Sequence, residues 1–131
     1  MTSRSFLRTP SEAAGPGDEA TIQDLVDTLE ANRSRCVGMA ANMIGVRKRI
    51  ICVKDGNRTL LMYNPQILEQ VNAYQTSEGC LSLIGERPCT RYRRIKVEYL
   101  DENFVHRIKN FSGYTAEIIQ HEIDHCNGVV V

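Results

Sequence analysis

The sequence predicts an α+β fold of mainly antiparallel strands packed around a C-terminal helix. Three observations carry this. Ile22, Leu25, Val26 and Leu29 recur at helical spacing near the N-terminus. Short β-branched runs between residues 49 and 111 are separated by Asp-Gly and Asn-Pro turn signals. A last helical segment, from about Gly113 to Cys126, has apolar residues on two sides and carries His121-Glu122-Ile123-Asp124-His125. A chain of 131 residues suits one domain, 1–131, with one core.

Composition excludes several function classes. Hydrophobic residues make up 42% and charged residues 24%, ordinary for a globular protein. Sixteen basic and 16 acidic residues give a formal net charge of zero, which favours neither nucleic acid nor an anionic membrane as main partner. The densest basic run, Arg91-Tyr92-Arg93-Arg94, reads as a solvated strand edge. No apolar run approaches the length of a membrane span. Residues 1–10 hold two arginines and no apolar core, so they do not read as a secretory signal, and an organelle-targeting reading is the weaker alternative. Five cysteines, an odd number without a disulfide-rich pattern, suggest reduced thiols and a cytoplasmic setting.

Taken in order, Met1 to about Gly17 is an irregular arm rich in Ser, Thr, Pro and Gly. A helix follows from about Glu19 to Arg33, with Asp18 as N-cap. The small-residue stretch Cys36 to Gly45 allows close backbone approach, either to a packed neighbour or to a ligand. Arg49–Lys54 and Thr59–Tyr63 read as a hairpin across Asp55-Gly56-Asn57, and Pro65 begins a further extended piece. Ile95, Val97 and Tyr99 alternate with polar residues in a half-buried strand from about Arg91 to Leu100. Asp101-Glu102-Asn103 is a turn, and Phe104 to Phe111 a weaker strand. Ser112 is the candidate N-cap of the last helix, and Asn127-Gly128 its stop.

On that helix Ala116, Ile119, Ile123 and Cys126 form one apolar stripe, with Tyr114, Ile118, His121 and His125 opposite. Residues four apart share a face, so His121 and His125 are placed to grip one metal ion. Glu122, turned about 100° away, reaches a water beside that ion. This is the arrangement for metal-assisted hydrolysis, in which the ion acidifies a water and the carboxylate takes its proton. The alternative is two satisfied structural histidines, because buried polar groups need partners. A catalytic site of this type has three protein ligands and an open position. No His or Glu follows His125, which points upstream for the third ligand, and Cys80 is the best candidate because thiolate suits a borderline-soft ion. His106 reads as an isolated solvated histidine; Cys52, Cys89 and Cys126 as core or partly exposed thiols; Arg87 as a surface residue.

Three blocks resemble the peptide deformylase family: Glu78-Gly79-Cys80-Leu81-Ser82; Gln120-His121-Glu122-Ile123-Asp124-His125 with Gly128 after it; and Gly38-Met39-Ala40-Ala41-Asn42-Met43-Ile44-Gly45. The resemblance implies an enzyme that removes the formyl group from formyl-methionyl peptides, among them nascent chains at the ribosome. It implies that Cys80, His121 and His125 hold one divalent ion, natively Fe(II), with Zn, Ni or Co as substitutes. Glu122 would act as general base and then acid, and the Leu81 N–H would face the developing oxyanion. The substrate backbone would lie along Val37, Gly38 and Gly79. Val37, Tyr114, Ile118 and the face of His121 would line a pocket for the methionine side chain. Bacterial cytoplasm is the compartment so implied.

The departures set the remaining expectations. Met43 stands where the family has a glutamine that donates to the oxyanion, and a thioether cannot donate. Asn42 is adjacent, with its side chain expected to point elsewhere. Cys36 stands where many members have glycine. The chain also looks shorter than many members at both ends. Three readings follow: a deformylase of reduced or retuned activity, a deformylase-like binding protein for formylated peptides, and a metallohydrolase of another amide.

Overall fold

A computed structural model describes residues 11, 13–15, 17–32, 37–56, 58–80 and 83–128, with backbone alone at 79–80 and 83–87. Helix α1 spans Glu19–Ala31, followed by strand β1 (Gly38–Ala40), a 3₁₀ turn (Ala41–Ile44), β2 (Ile50–Asp55), β3 (Arg58–Cys80), β4 (Leu83–Leu100), β5 (His106–Ser112) and helix α2 (Gly113–Cys126). The strands form one antiparallel sheet in the order β1-β2-β3-β4-β5. The α+β expectation is met, and α2 packs on β1, β2 and β4 while α1 covers β1 and β2. Among the described residues no helix is long and apolar enough to cross a membrane.

The core forms where the two periodicities meet. Leu25 and Leu29 of α1, Ile50 to Val53 of β2, Met62 and Tyr63 of β3, and Ile95, Val97 and Tyr99 of β4 are buried together. The α2 stripe Ala116, Ile119, Ile123 and Cys126 closes the same cluster. The opposite side of α2 is also buried at Ile118, His121 and His125, but Tyr114, in its first turn, is 65% exposed.

The sequence-based boundaries need correcting at four points. β3 and β4 are far longer than expected. Tyr63–Cys80 of β3 pairs with Leu83–Leu100 of β4 as a long ribbon, and the irregularity at Tyr63/Gln66 absorbs Asn64-Pro65. The ribbon's far part is mostly polar and exposed on both faces, so it carries no hydrophobic period for a sequence reading to detect. The turn after β4 extends through Val105, because the Asp101 carboxylate accepts from the Asn103 and Val105 backbone N–H groups at 2.9 and 3.0 Å. Asp18 stands at the N-cap of α1 as expected, but its side chain makes no cap bond; its carboxylate accepts from the Gly15 N–H at 2.9 Å instead. Ser112 stands in extended conformation before α2 but makes no side-chain cap bond.

The packing gives a direct test. Ile119 is fully buried between α2 and the sheet, so Ile119→Ala should lower the unfolding free energy by about 2–5 kcal/mol. A urea melt reads this, and a loss below about 0.5 kcal/mol, the range of surface substitutions, would contradict the packing.

Candidate active site

His121, Glu122 and His125 stand on the inner face of α2 and are 8%, 3% and 0% exposed. His121 Nε2 and His125 Nε2 face each other at 3.2 Å, with ring centroids 4.9 Å apart. His121 Nδ1 donates to the ionised Glu78 Oε1 at 2.7 Å, which orients the ring with Nε2 toward His125. Burial drives the His125 pKa down to about 3, so this imidazole is neutral.

Glu122 is held in a dry position. Burial pushes its pKa up to about 7. Among the described residues its Oε1 has no hydrogen-bond partner, an unusual condition for a buried carboxyl. Gly38 explains how the group fits: a Cβ there would lie 2.6 Å from Ile118 Cγ2 and 3.1 Å from Glu122 Oε2. The small-residue stretch therefore serves close approach of β1 to α2. Asn42 stands in the 3₁₀ turn rather than in an extended segment, and its Nδ2 donates to the His125 carbonyl at 2.7 Å. Gln120 ties α2 to β4 by accepting from the Tyr92 N–H and donating to the Tyr92 carbonyl, both at 2.8 Å.

Arg91 corrects the expectation of a solvated basic edge. It is 4% exposed. Its Nη2 and Nε donate to Glu78 at 2.7 and 3.0 Å, and its Nη1 to Asp124 Oδ2 at 2.6 Å. Burial alone would raise the Glu78 pKa, but the hydrogen bonds from His121 and Arg91 outweigh it and hold the carboxyl well below its usual range. The signal was present in the sequence: Arg91 is in phase with Ile95, Val97 and Tyr99, the core-facing positions of the strand. Glu117 was also missed. Its contact with the Glu78 carboxylate, then burial, pushes its pKa up to about 7.

The other expected residues divide. Val37 is 36% exposed beside β1, an edge strand of the sheet. Met43 is buried, and its Sδ accepts from the Ala40 N–H at 3.4 Å. Gly79 and Cys80 end β3 by backbone pairing with Glu86 and Leu83, and the Cys80 side chain lies outside the described residues, as do Leu81, Ser82 and Cys36. The Arg87 side chain is outside them too. Cys52 and Cys126 are buried and Cys89 half-buried. His106 is exposed as expected but not isolated, since its Nε2 pairs with Glu98 Oε2 at 2.8 Å. Among the described residues no third His, Cys, Asp or Glu is placed to complete a metal site with the two histidines. The pair itself fits a metal ion: two ligands at roughly 2.0–2.1 Å in tetrahedral geometry stand about 3.3 Å apart, close to the 3.2 Å seen here.

A helix-borne His-Glu-x-x-His beside a sheet edge defines a class of hydrolase. Comparison with known proteins narrows it. The family described as Polypeptide deformylase matches residues 3–131. A peptide deformylase of Clostridium beijerinckii is 52% identical over 126 residues, covering 96% of this chain and 93% of that protein. Peptide deformylase 1 of Clostridium perfringens is 38% identical over 83% of this chain and 75% of its own. The crystal structure of the Thermus thermophilus peptide deformylase superposes with a TM-score of 0.86 at 32% identity, over 97% of this chain and 78% of that one. That of Synechococcus elongatus, in complex with actinonin, gives 0.87 at 31% identity, over 95% and 70%. The chain belongs to the peptide deformylase family. It is accordingly a hydrolase of protein biosynthesis that acts in N-terminal processing.

Removing Arg91 would leave Glu78 a buried carboxylate without its cation. Arg91→Ala should therefore cost about 3–5 kcal/mol of unfolding free energy, whereas Asp124→Asn, at a carboxylate 28% exposed, should cost much less. Urea melts of the two variants decide this, and equal losses would contradict it.

Proposed function

We propose that this chain acts as one domain that hydrolyses the N-formyl group of formyl-methionyl peptides, releasing formate and a free amine. Cys80, His121 and His125 are the residues that would hold one divalent ion, with Fe(II) as the resident ion and Zn, Ni or Co as substitutes. An N/S donor set accepts several first-row ions, and availability chooses among them. Such an ion supplies Lewis acidity toward water and toward the formyl carbonyl. The observation that carries this reading is Glu122: a buried carboxyl with its pKa near 7, lacking a hydrogen-bond partner among the described residues at Oε1, beside two converging imidazoles.

Glu122 takes a proton from the attacking water and delivers it to the leaving nitrogen, and a carboxyl near pKa 7 suits both transfers. The Leu81 N–H faces the oxyanion. The peptide backbone lies along Val37 and Gly38 on one side and Gly79 on the other, as an added strand. Such pairing reads no side chains, which suits nascent chains at the ribosome in the bacterial cytoplasm. Val37, Tyr114, Ile118 and the face of His121 take the methionine side chain. The exposure of Val37 at the sheet edge supports the strand site.

Met43 favours reduced turnover. Its sulfur is engaged by the Ala40 N–H within its own turn and brings no donor to the site. A glutamine there has an oxygen for the Ala40 N–H and an amide left to donate.

Formate release from formyl-Met-Ala-Ser, by protein loaded anaerobically with Fe(II) and separately with Ni(II), tests the assignment. Turnover should fall by about 10²–10⁴-fold in Glu122→Ala carrying the same metal. No turnover by the metal-loaded protein would transfer the assignment to a non-catalytic formyl-peptide binder or to another amide. Met43→Gln should raise turnover by up to about a hundredfold with metal content unchanged. An unaltered rate would show that another donor already serves the oxyanion.

A further inference from the structure

Tyr114, Glu117, Ile118 and His121 lie at i, i+3, i+4 and i+7 of α2 and share one face. This is the face proposed above to meet the first side chain of the peptide. Three of these residues offer rings or a methyl group to a thioether; Glu117 offers a carboxyl. That carboxyl is half-buried and accepts from Tyr74 Oη at 3.4 Å. It also meets the carboxyl of Glu78, the group that holds His121 Nδ1. Behind it the Arg93 guanidinium lies 4.8 Å from the centre of the Tyr74 ring. Tyr74, Arg93, Tyr114 and Glu117 line an open groove of about 480 Å³ at this end of the face.

We infer that Glu117 is a specificity-determining residue, giving the side-chain pocket a polar end that admits a hydrogen-bond donor alongside the thioether of methionine. The inference rests on the proposed deformylase reading for its substrate class. Its physical basis is simple. A methionine or norleucine end brings no donor, so seating it against the carboxyl removes water from Glu117 and returns no hydrogen bond. A glutamine side chain of the same length brings an amide N–H₂ that the carboxyl accepts. With an apolar residue at 117, the balance shifts further toward the thioether.

The measurement is a ratio taken within one protein preparation, so the active fraction cancels. Relative kcat/KM for formyl-Met-Ala-Ser and formyl-Gln-Ala-Ser is compared between the unmodified chain, Glu117→Ile and Glu117→Gln. The Met/Gln preference should rise at least about tenfold in Glu117→Ile, within the 10–200-fold that one group in an apolar pocket commands, and shift less than threefold or so in Glu117→Gln, which keeps a polar end. The same ratio is read as dissociation constants in a Glu122→Gln background, independent of turnover. Absence of turnover with a shifted binding ratio would overturn the deformylase reading and support the pocket assignment. An unchanged ratio in Glu117→Ile, including a uniform loss on both peptides, would overturn it, because a residue acting only through Glu78 and His121 affects both substrates alike.

Discussion

The buried carboxylate of Glu78 is the interaction on which the site depends. It is 9% exposed, accepts two guanidinium nitrogens from Arg91 and receives the Nδ1–H of His121. The cluster draws on three elements: Glu78 from β3, Arg91 from β4, and His121 and Asp124 from α2. One ion-paired cluster thus locks the ribbon to the helix and orients an imidazole. Burying a lone carboxylate is expensive, and the cation with its hydrogen bonds is what makes this one tolerable. The ionised state of Glu78 is in turn what makes His121 a donor at Nδ1.

Around that cluster, α2 is held by groups that compete poorly with water elsewhere but well in a dry interior. Asn42 fastens the His125 carbonyl and Gln120 pairs with the Tyr92 backbone, while at the surface Arg49 reaches Asn127 Oδ1 at 2.8 Å and the Pro65 carbonyl at 2.9 Å. Gly38 removes the one side chain that would force β1 and α2 apart. A pair of nitrogens 3.2 Å apart, beside a carboxyl oxygen without a partner among the described residues, is not an arrangement that packing alone would select. The restraints on the middle and the C-terminal end of α2 hold the histidine-bearing turns in place, which is how preorganised sites are built.

The legible part of the chain was the part with a period or a motif. The α1 stripe, the β2–β3 hairpin and the two-sided α2 all formed where apolar spacing predicted, because burial there is decided by a strong and regular signal. The far ribbon of β3 and β4 was invisible because its stability comes from backbone pairing between polar, exposed strands. His121, Glu122 and His125 were legible because three functions fall on one helical turn. Arg91 was misread from its charge, although its phase with Ile95 and Val97 pointed inward. Glu117 was passed over because nothing local marks a carboxyl whose environment is set by Tyr74 and Glu78, residues 43 and 39 positions away by their numbering.

Met43 shows how local fit and chemical role separate. In the 3₁₀ turn its sulfur satisfies the Ala40 N–H, and its body fills a position only 2% exposed. The fold therefore carries little penalty for methionine at this position: the turn is capped, the volume is filled and no buried donor is orphaned. Under the proposed reaction the consequence falls on the transition state alone, where charge grows on an oxygen that a thioether cannot stabilise. A side chain can thus be well packed in the ground state and still leave the reacting centre short of one donor. Stability and catalysis respond to different atoms of the same residue, and only the second would register the exchange.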